Sequence, residues 1–285
     1  MTYANGAAAL APGREAVAPR APRADGHRPE LRLVHHMARS GGTLFSKCLG
    51  CMDGVLLLSE IHPLATRRFN PLDQAQGWFR LLTDGDVADL RRGRGVSFPD
   101  AIGLIRRRAA ERGRALVIRD WSHLDFTGVP FVERPPYRLL TAEALRPVFA
   151  LRQLCTVRHP LDQWLSLRRL ALIQGRLTPE TYLRGYRAFA EVAAGIGFVR
   201  YEDLTRDPAP AMRRACERLA LPFDPGFADR WWNYRFVTGD VYGTRNGTAL
   251  RPTPRRELEP GLAERFAANE DYAAALALLG YAHDA

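Results

Sequence analysis

The sequence predicts an α/β fold with a central, mainly parallel sheet. Five short apolar runs alternate along the chain with segments that carry helix signals, which is the order typical of βαβ units. Each run is followed at once by polar residues, as at the carboxyl ends of parallel strands where ligands bind. The five runs cover residues 31–34, 55–58, 115–118, 149–157 and 196–199.

Capping residues and prolines mark where helices begin between these strands. Residues 97–100 read Ser-Phe-Pro-Asp, a cap followed by an early proline and an acidic residue, and predict a helix that ends near Gly113. Similar starts predict helices from Pro160, from Thr178 and from Asp207. Residues 70–96 are expected to be irregularly helical. Two helices are expected after residue 254, the last of which ends at Gly280.

The 285 residues are 46% hydrophobic and 25% charged, which is sufficient for a sizeable core. Residues 1–28 are rich in Ala, Pro, Gly and Arg and lack periodicity, so we expect a disordered N-terminal tail. Residues 29–285 are expected to form one domain. No apolar run reaches 18 residues, so the sequence predicts no transmembrane helix and no membrane partner.

The net charge is +10, and Lys47 is the only lysine, so almost all of the positive charge is arginine. Arginine suits a bidentate grip on phosphate, sulfate or carboxylate. The charge is spread along the chain, without basic runs interleaved with aromatic residues, which argues against nucleic acid as the partner and for an anionic small molecule.

The four cysteines lack a second Cys-x-x-Cys or paired histidines at zinc spacing, so we expect reduced, mostly buried thiols and no metal site. No apolar segment of the secretory type is present near the N-terminus, and we therefore expect a cytoplasmic location. The cysteines are Cys48, Cys51, Cys155 and Cys216.

A glycine-containing turn follows the first predicted strand and leads into a helix. Two glycines allow a sharp turn and a close approach of the backbone to a ligand, and the helix N-terminus favours an anion. The alternative is an ordinary βα turn without a ligand. A nucleoside triphosphate loop would have Lys directly before Thr43, where Gly42 stands here. The turn is formed by Arg39, Ser40, Gly41, Gly42, Thr43 and Leu44.

Five polar motifs follow the five predicted strands and are expected to meet at one edge of the sheet. This convergence is more specific than any single motif. The motifs contain Arg39, Glu60, the run Arg119 to His123, Arg158 and Tyr201.

Three of these motifs resemble the sulfotransferases that use 3′-phosphoadenosine 5′-phosphosulfate (PAPS). Residues 39–43, Arg-Ser-Gly-Gly-Thr, are similar to the family's 5′-phosphosulfate loop, although Gly42 replaces a threonine. Residues 157–162 with Ser166 resemble its 3′-phosphate motif, and residues 198–204 resemble the stretch whose tyrosine lies near the adenine. The resemblance implies a P-loop-type, three-layer fold, PAPS as cofactor with adenosine 3′,5′-bisphosphate as product, and no metal requirement.

The resemblance also implies roles for individual residues. The loop from Arg39 to Leu44 would bind the phosphosulfate, Arg158 and Ser166 would grip the 3′-phosphate, and Tyr201 would lie near the adenine unless it packs in the core. A late segment similar to the family's closing loop contains Arg245, Asn246 and Gly247, although Arg251, Arg255 or Arg256 could serve instead.

Two residues compete for the role of catalytic base. The position of Glu60 resembles that of the catalytic glutamate of tyrosylprotein sulfotransferases, and His123 lies in a stretch similar to that bearing the catalytic histidine of cytosolic sulfotransferases. We favour Glu60 as base, with His123 orienting the acceptor or leaving group and Arg39 stabilising charge. Each could instead be structural, Glu60 in a salt bridge to arginine and His123 in capping or packing.

The function expected from the sequence is transfer of a sulfuryl group to a hydroxyl or amine. The alternatives are a small-molecule P-loop kinase and a non-catalytic nucleotide- or nucleic-acid-binding protein. The acceptor is a small molecule, a glycan or a peptide. Segments 64–96 and 125–140 are expected to shape its pocket, with aromatic residues that could equally belong to the core, namely Trp78, Phe79, Phe126, Phe131 and Tyr137.

Overall fold

The computed structural model describes residues 28–91, 96–239 and 249–283. The predicted N-terminal tail lies outside these residues apart from Arg28, and so do Arg245, Asn246 and Gly247 of the late segment. In the part of the chain that is described, no helix is long and apolar enough to cross a membrane.

All five predicted strands are present and form one parallel sheet with the order β2-β3-β1-β4-β5. The carboxyl ends of all five strands therefore lie along one edge, which we call the carboxyl edge. The strands are β1 (Glu30–His36), β2 (Val55–Ile61), β3 (Ala115–Asp120), β4 (Ala150–Val157) and β5 (Phe198–Arg200).

Helices connect and cover the strands. The first six are α1 (Gly42–Gly50), α2 (Pro71–Phe79), α3 (Asp84–Arg91), α4 (Phe98–Glu111), α5 (His123–Phe126) and α6 (Leu140–Leu145). The others in the described residues are α7 (Pro160–Leu167), α8 (Pro179–Ile196), α9 (Tyr201–Arg206), α10 (Pro208–Arg218), α11 (Phe227–Arg230), α12 (Leu262–Ala267) and α13 (Glu270–Leu279). Two 3-10 helices cover Pro63–Ala65 and Trp231–Asn233.

Helix boundaries follow the capping signals of the sequence. The Ser97 hydroxyl accepts a hydrogen bond from Asp100 N at 3.2 Å, and the Thr178 hydroxyl accepts one from Thr181 N at 3.3 Å. Gly280 ends α13 with φ of 63°, a conformation that glycine adopts without strain. The predicted helix starts at these sites are confirmed.

The sheet is covered on both faces, as its alternating strand residues require. Leu31 and Leu33 belong to one core cluster, which also contains residues of α4 and α8. Val34 points to the other face, into a second cluster with residues of α1 and α10. The predicted three-layer α/β fold is therefore confirmed.

Among the local differences from the sequence expectation, two concern residues predicted to belong to the site. Strand β2 runs on to Ile61 with a register irregularity after Leu58, so Glu60 lies within an irregular strand end. Phe126 is fully buried and packs against Phe189, with ring centroids 5.2 Å apart. Phe126 is a core residue and does not shape an acceptor pocket.

Candidate active site at the carboxyl edge

The loop between β1 and α1 forms a tight cradle at the carboxyl edge. Gly41 has φ of 89° and caps α1 without a side-chain hydrogen bond. The first backbone bond of this helix joins Phe45 N to Gly41 O, so the N–H groups before it face the loop opening. Leu44 packs partly on the core, which leaves its backbone N–H as the group it offers a ligand.

Neighbouring rings press against the two glycines of the cradle. A Cβ at Gly41 would lie 2.3 Å from Cδ2 of Tyr201, and a Cβ at Gly42 would lie 2.3 Å from Cδ2 of His36. Both distances are far below van der Waals contact. Because no larger residue fits at either position, the loop backbone lies directly against these two rings.

The two hydroxyl groups of the cradle point in different directions. Ser40 is buried, and its Oγ lies 3.5 Å from Oγ1 of Thr156 in β4, so the hydroxyl faces the sheet. Thr43 is partly exposed, and its Oγ1 accepts a hydrogen bond from Nη2 of Arg119 at 3.1 Å. Thr43 is thus the hydroxyl of the loop that a bound anion can reach.

A polar cluster lies beside the cradle. It is formed by Arg39, Arg158, Ser166 and Tyr201. Arg39 Nε donates to Ser166 Oγ at 3.0 Å. The Arg158 guanidinium lies over the Tyr201 ring, 4.6 Å from its centroid, and its Nη1 is 3.5 Å from Arg39 O. The structure therefore brings together residues from three separate parts of the sequence, all of which the sequence assigned to one ligand.

Arg119 is the central buried cation of the site. The sequence placed it in a motif at the edge of the sheet but gave it no role of its own. Its side chain is buried at the end of β3, and one guanidinium nitrogen, Nη1, donates to Ser59 Oγ at 2.9 Å and Thr238 O at 3.0 Å. The other, Nη2, lies 3.4 Å from Glu60 Oε1 and also contacts Thr43. The sequence did contain a signal for this role, because Arg119 directly follows the apolar residues of the predicted strand 115–118.

Glu60 reaches the cradle through Arg119. Its side chain is 14% exposed, compared with 4% for the side chain of Arg119. A Cβ at Gly239 would lie 3.5 Å from Glu60 Oε1 and 3.4 Å from Thr43 Oγ1. The carboxylate and the Thr43 hydroxyl are therefore close neighbours under one segment of backbone.

His123 lies near Glu60 but is almost fully buried. Its Nε2 donates to Val129 O at 2.8 Å, while Nδ1 is buried without a hydrogen-bond partner. Burial lowers the pKa of His123, an effect that its hydrogen bond and the charge of Glu60 only partly offset. His123 is therefore a neutral ring with one free lone pair.

A buried network orders the loop that carries His123. Asp120 accepts hydrogen bonds from His35 Nδ1 at 2.7 Å, Ser122 Oγ at 2.8 Å and Thr141 Oγ1 at 2.6 Å. Burial opposes ionisation of this carboxyl, yet the hydrogen bond from His35 holds the pKa of Asp120 below its usual value. The ionised carboxylate fixes the turn between β3 and α5.

The described segment that begins at residue 249 crosses the polar cluster beside the cradle. Thr253 Oγ1 lies 2.9 Å from the Tyr201 hydroxyl, and Arg255 Nε donates to Asp162 Oδ1 at 3.0 Å in the first turn of α7. Of the alternatives for a late arginine, Arg255 thus pairs with a carboxylate beside the cluster. The three residues first favoured, from Arg245 to Gly247, lie outside the described chain.

All four cysteines are free thiols, and Cys48, Cys155 and Cys216 are buried, as expected. Burial raises the pKa of Cys51 and of Cys216 to about 11, so both are protonated near neutral pH. Within residues 28–91, 96–239 and 249–283, no group of three or more His, Cys, Asp or Glu could hold a metal ion.

This chain, with its parallel five-stranded sheet flanked by helices, has the sulfotransferase fold. It is similar to the sulfotransferase domain of the Synechococcus PCC 7002 olefin synthase, with TM-score 0.64, 18% identity and coverage of 93% of this chain and 99% of that one. It is also similar to the sulfotransferase domain from the curacin biosynthetic pathway, with TM-score 0.60, 16% identity and coverage of 90% and 99%. No family model and no curated protein matches the sequence.

Proposed function

We propose that this protein is a sulfotransferase that moves a sulfuryl group from PAPS to a hydroxyl or amine of a small-molecule, glycan or peptide acceptor. The observation that carries the proposal is the pairing of two anion-binding groups at one edge of the sheet. One is the cradle loop with the start of α1, and the other is formed by Arg158 and Ser166, to which Arg39 of the cradle loop donates. A donor with anionic groups at both ends suits such a pair.

The residues fit PAPS in their chemistry. The N–H groups that begin α1, with the Thr43 hydroxyl, suit the 5′-phosphosulfate. Arg158 and Ser166 suit the 3′-phosphate, because charged hydrogen bonds from a guanidinium and a hydroxyl clamp a dianion well. Arg158 Nε is buried without a partner, which favours a ligand at this position. The Tyr201 ring, held against Gly41, suits the adenine.

In the proposed mechanism, the donor supplies the sulfuryl group, whose bond to the 5′-phosphate oxygen breaks as a bond to the acceptor forms in line. Glu60 takes the acceptor proton, because its side chain is partly exposed and its carboxylate lies close to Thr43. Arg39 and the start of α1 stabilise negative charge on the phosphate. His123 orients the acceptor or the leaving group, with its Nε2 donating to Val129 O and its Nδ1 without a hydrogen-bond partner.

The proposed reaction needs no metal ion. The cradle lacks the lysine that a magnesium–nucleotide loop places before its hydroxyl residue, and Lys47 is buried one turn into α1. A cytoplasmic location is part of the proposal, because free, buried thiols suit a reducing compartment.

Calorimetry tests the donor site directly. We expect adenosine 3′,5′-bisphosphate to bind more tightly than AMP or ATP, because only the bisphosphate engages both anion-binding groups. Equal affinity for AMP and the bisphosphate would contradict PAPS use.

Turnover is tested by incubating the protein with PAPS and a panel of hydroxyl and amine acceptors, with products read by mass spectrometry. Sulfated products should form equally well in excess EDTA. Loss of turnover in EDTA that magnesium restores would favour the kinase alternative.

A further inference from the structure

His36 occupies the space that Gly42 leaves open beneath the cradle. A Cβ at Gly42 would lie 2.3 Å from Cδ2, 2.6 Å from Cγ and 2.8 Å from Nε2 of His36. The ring edge that carries Nε2 therefore faces the loop backbone. The loop carries no side chain at this position, and the imidazole of β1 takes its place.

The same imidazole holds Arg119. Arg119 Nε donates to His36 Nε2 at 2.9 Å, and both side chains are buried. Burial and the nearby charge of Arg119 keep the pKa of His36 well below its usual value. His36 is therefore neutral and presents the lone pair that this hydrogen bond requires.

Arg119 in turn fixes Thr43 and Glu60, the hydroxyl and the carboxylate of the proposed reaction. Its Nη2 contacts Thr43 Oγ1 at 3.1 Å and Glu60 Oε1 at 3.4 Å. Because Thr43 Oγ1 accepts this bond, the hydroxyl hydrogen points away from Arg119 and is left to donate to an anion. A rotation of the guanidinium would disturb both groups at once.

We propose that His36 is a positioning residue of the donor site, which holds Arg119 so that Thr43 donates to the 5′-phosphosulfate and Glu60 stays beside it. This inference rests on the proposed function. It assigns His36 an effect on the 5′ end of the donor and none on the 3′ end, which Arg158 and Ser166 bind.

Two substitutions separate this role from packing. His36→Leu keeps much of the side-chain volume and removes the acceptor, whereas His36→Gln keeps an oxygen that can accept from Arg119. The readout is the affinity ratio of adenosine 3′,5′-bisphosphate to adenosine 3′-monophosphate, measured by calorimetry, because the two ligands differ only at the 5′ end. Melting temperatures of the variants are measured in parallel.

We expect His36→Leu to lower this ratio about 10-fold, the effect of one misplaced charged hydrogen bond. The ratio for His36→Gln should stay within about 3-fold of that of the unsubstituted protein, since this variant keeps a hydrogen-bond acceptor. Affinity for adenosine 3′-monophosphate should not change in either variant. Equal ratios for both variants and the unsubstituted protein would overturn the role of His36, while bisphosphate binding itself would leave the proposed function standing.

Arg119→Met provides a second, independent test. It keeps a long side chain but removes every donor to His36 and Thr43, so it should lower the ratio, and His36→Leu added to it should cause no further loss. Additive losses would overturn the inference. If His36→Leu does not fold, the other two variants still test the proposal, because either a 10-fold loss of the ratio in His36→Gln at an unchanged melting temperature or an unchanged ratio in Arg119→Met contradicts it.

Discussion

Glu60 and Arg39 both adopt backbone conformations that non-glycine residues rarely adopt, with φ of 55° and 69°. Each such residue costs of order 1–3 kcal/mol, and the surrounding structure must hold it in place. Here both residues flank the cradle, one at the end of β2 and the other after β1. The same conformation occurs at Arg80, Tyr137 and Ala220, so the roles proposed for Glu60 and Arg39 rest on their contacts and not on their backbone.

For Glu60, the expected effect of Glu60→Gln is a fall in kcat of about 100-fold or more, the usual contribution of a positioned base. Affinity for adenosine 3′,5′-bisphosphate should be retained, because the carboxylate does not hold either phosphate. His123→Asn should lower kcat by a smaller factor. Steady-state kinetics and calorimetry check both variants. If His123→Asn abolishes turnover and Glu60→Gln is nearly silent, the base is His123.

Arg158 is expected to bind the 3′-phosphate. Arg158→Ala should weaken bisphosphate binding by about 2 kcal/mol, roughly 30-fold, as for a lost charged hydrogen bond. Arg214→Ala on α10 is a matched control that removes the same charge from an exposed position outside the site. Calorimetry should show a small effect for the control, and equal losses in both variants would mean that only net charge matters.

At the scale of elements, the start of α1 is locked against β1 by the contact of Gly42 with His36. Gly42→Ala should lower the free energy of unfolding by about 1–3 kcal/mol, the usual cost of overpacking. Gly77→Ala in α2 is the matched control, because no atom lies within 4 Å of its added Cβ. The control substitution should raise the free energy of unfolding by about 0.5–1 kcal/mol, because helices favour Ala over Gly by this amount. Urea denaturation measures both, and similar values for the two variants would contradict the packing argument.

At the scale of the whole molecule, buried histidines make stability depend on pH. Burial holds the pKa of His36, His123 and His159 below the usual value in the folded protein. In the unfolded chain these rings take up protons near pH 6.5. The unfolded state therefore binds more protons below that pH, and stability falls by up to about 1.4 kcal/mol per pH unit for each ring.

Asp125 has the opposite effect on the pH dependence of stability. Burial raises the pKa of its carboxyl to about 6, so the folded state binds this proton at a higher pH than the unfolded chain does. The contribution of Asp125 therefore favours the folded state as the pH falls from 6 towards 4. With three rings against one carboxyl, the melting temperature should decrease between pH 7.5 and pH 5.5. Scanning calorimetry across this range checks it. A flat or rising melting temperature would contradict the lowered pKa values of these three rings.

The sequence by itself determined the elements and their order. Apolar runs, caps and prolines are local signals, so all five strands and helix starts such as Ser97 and Thr178 were predicted correctly. The convergence of the motifs at one edge also followed, since parallel strands share the direction of their carboxyl ends. The short helix α9 was missed, because it begins at once after β5 without a proline or a capping side chain.

The tertiary structure alone decided which side chains meet within the site. It placed Arg39 on Ser166, turned Ser40 towards β4 and made Arg119 the link between Thr43 and Glu60. These contacts join residues from strands, helices and a loop that are distant in sequence, and the direction of their side chains depends on long-range packing that no local pattern encodes. For the same reason, the need for glycine at position 42 became visible only when the ring of His36 was seen against it.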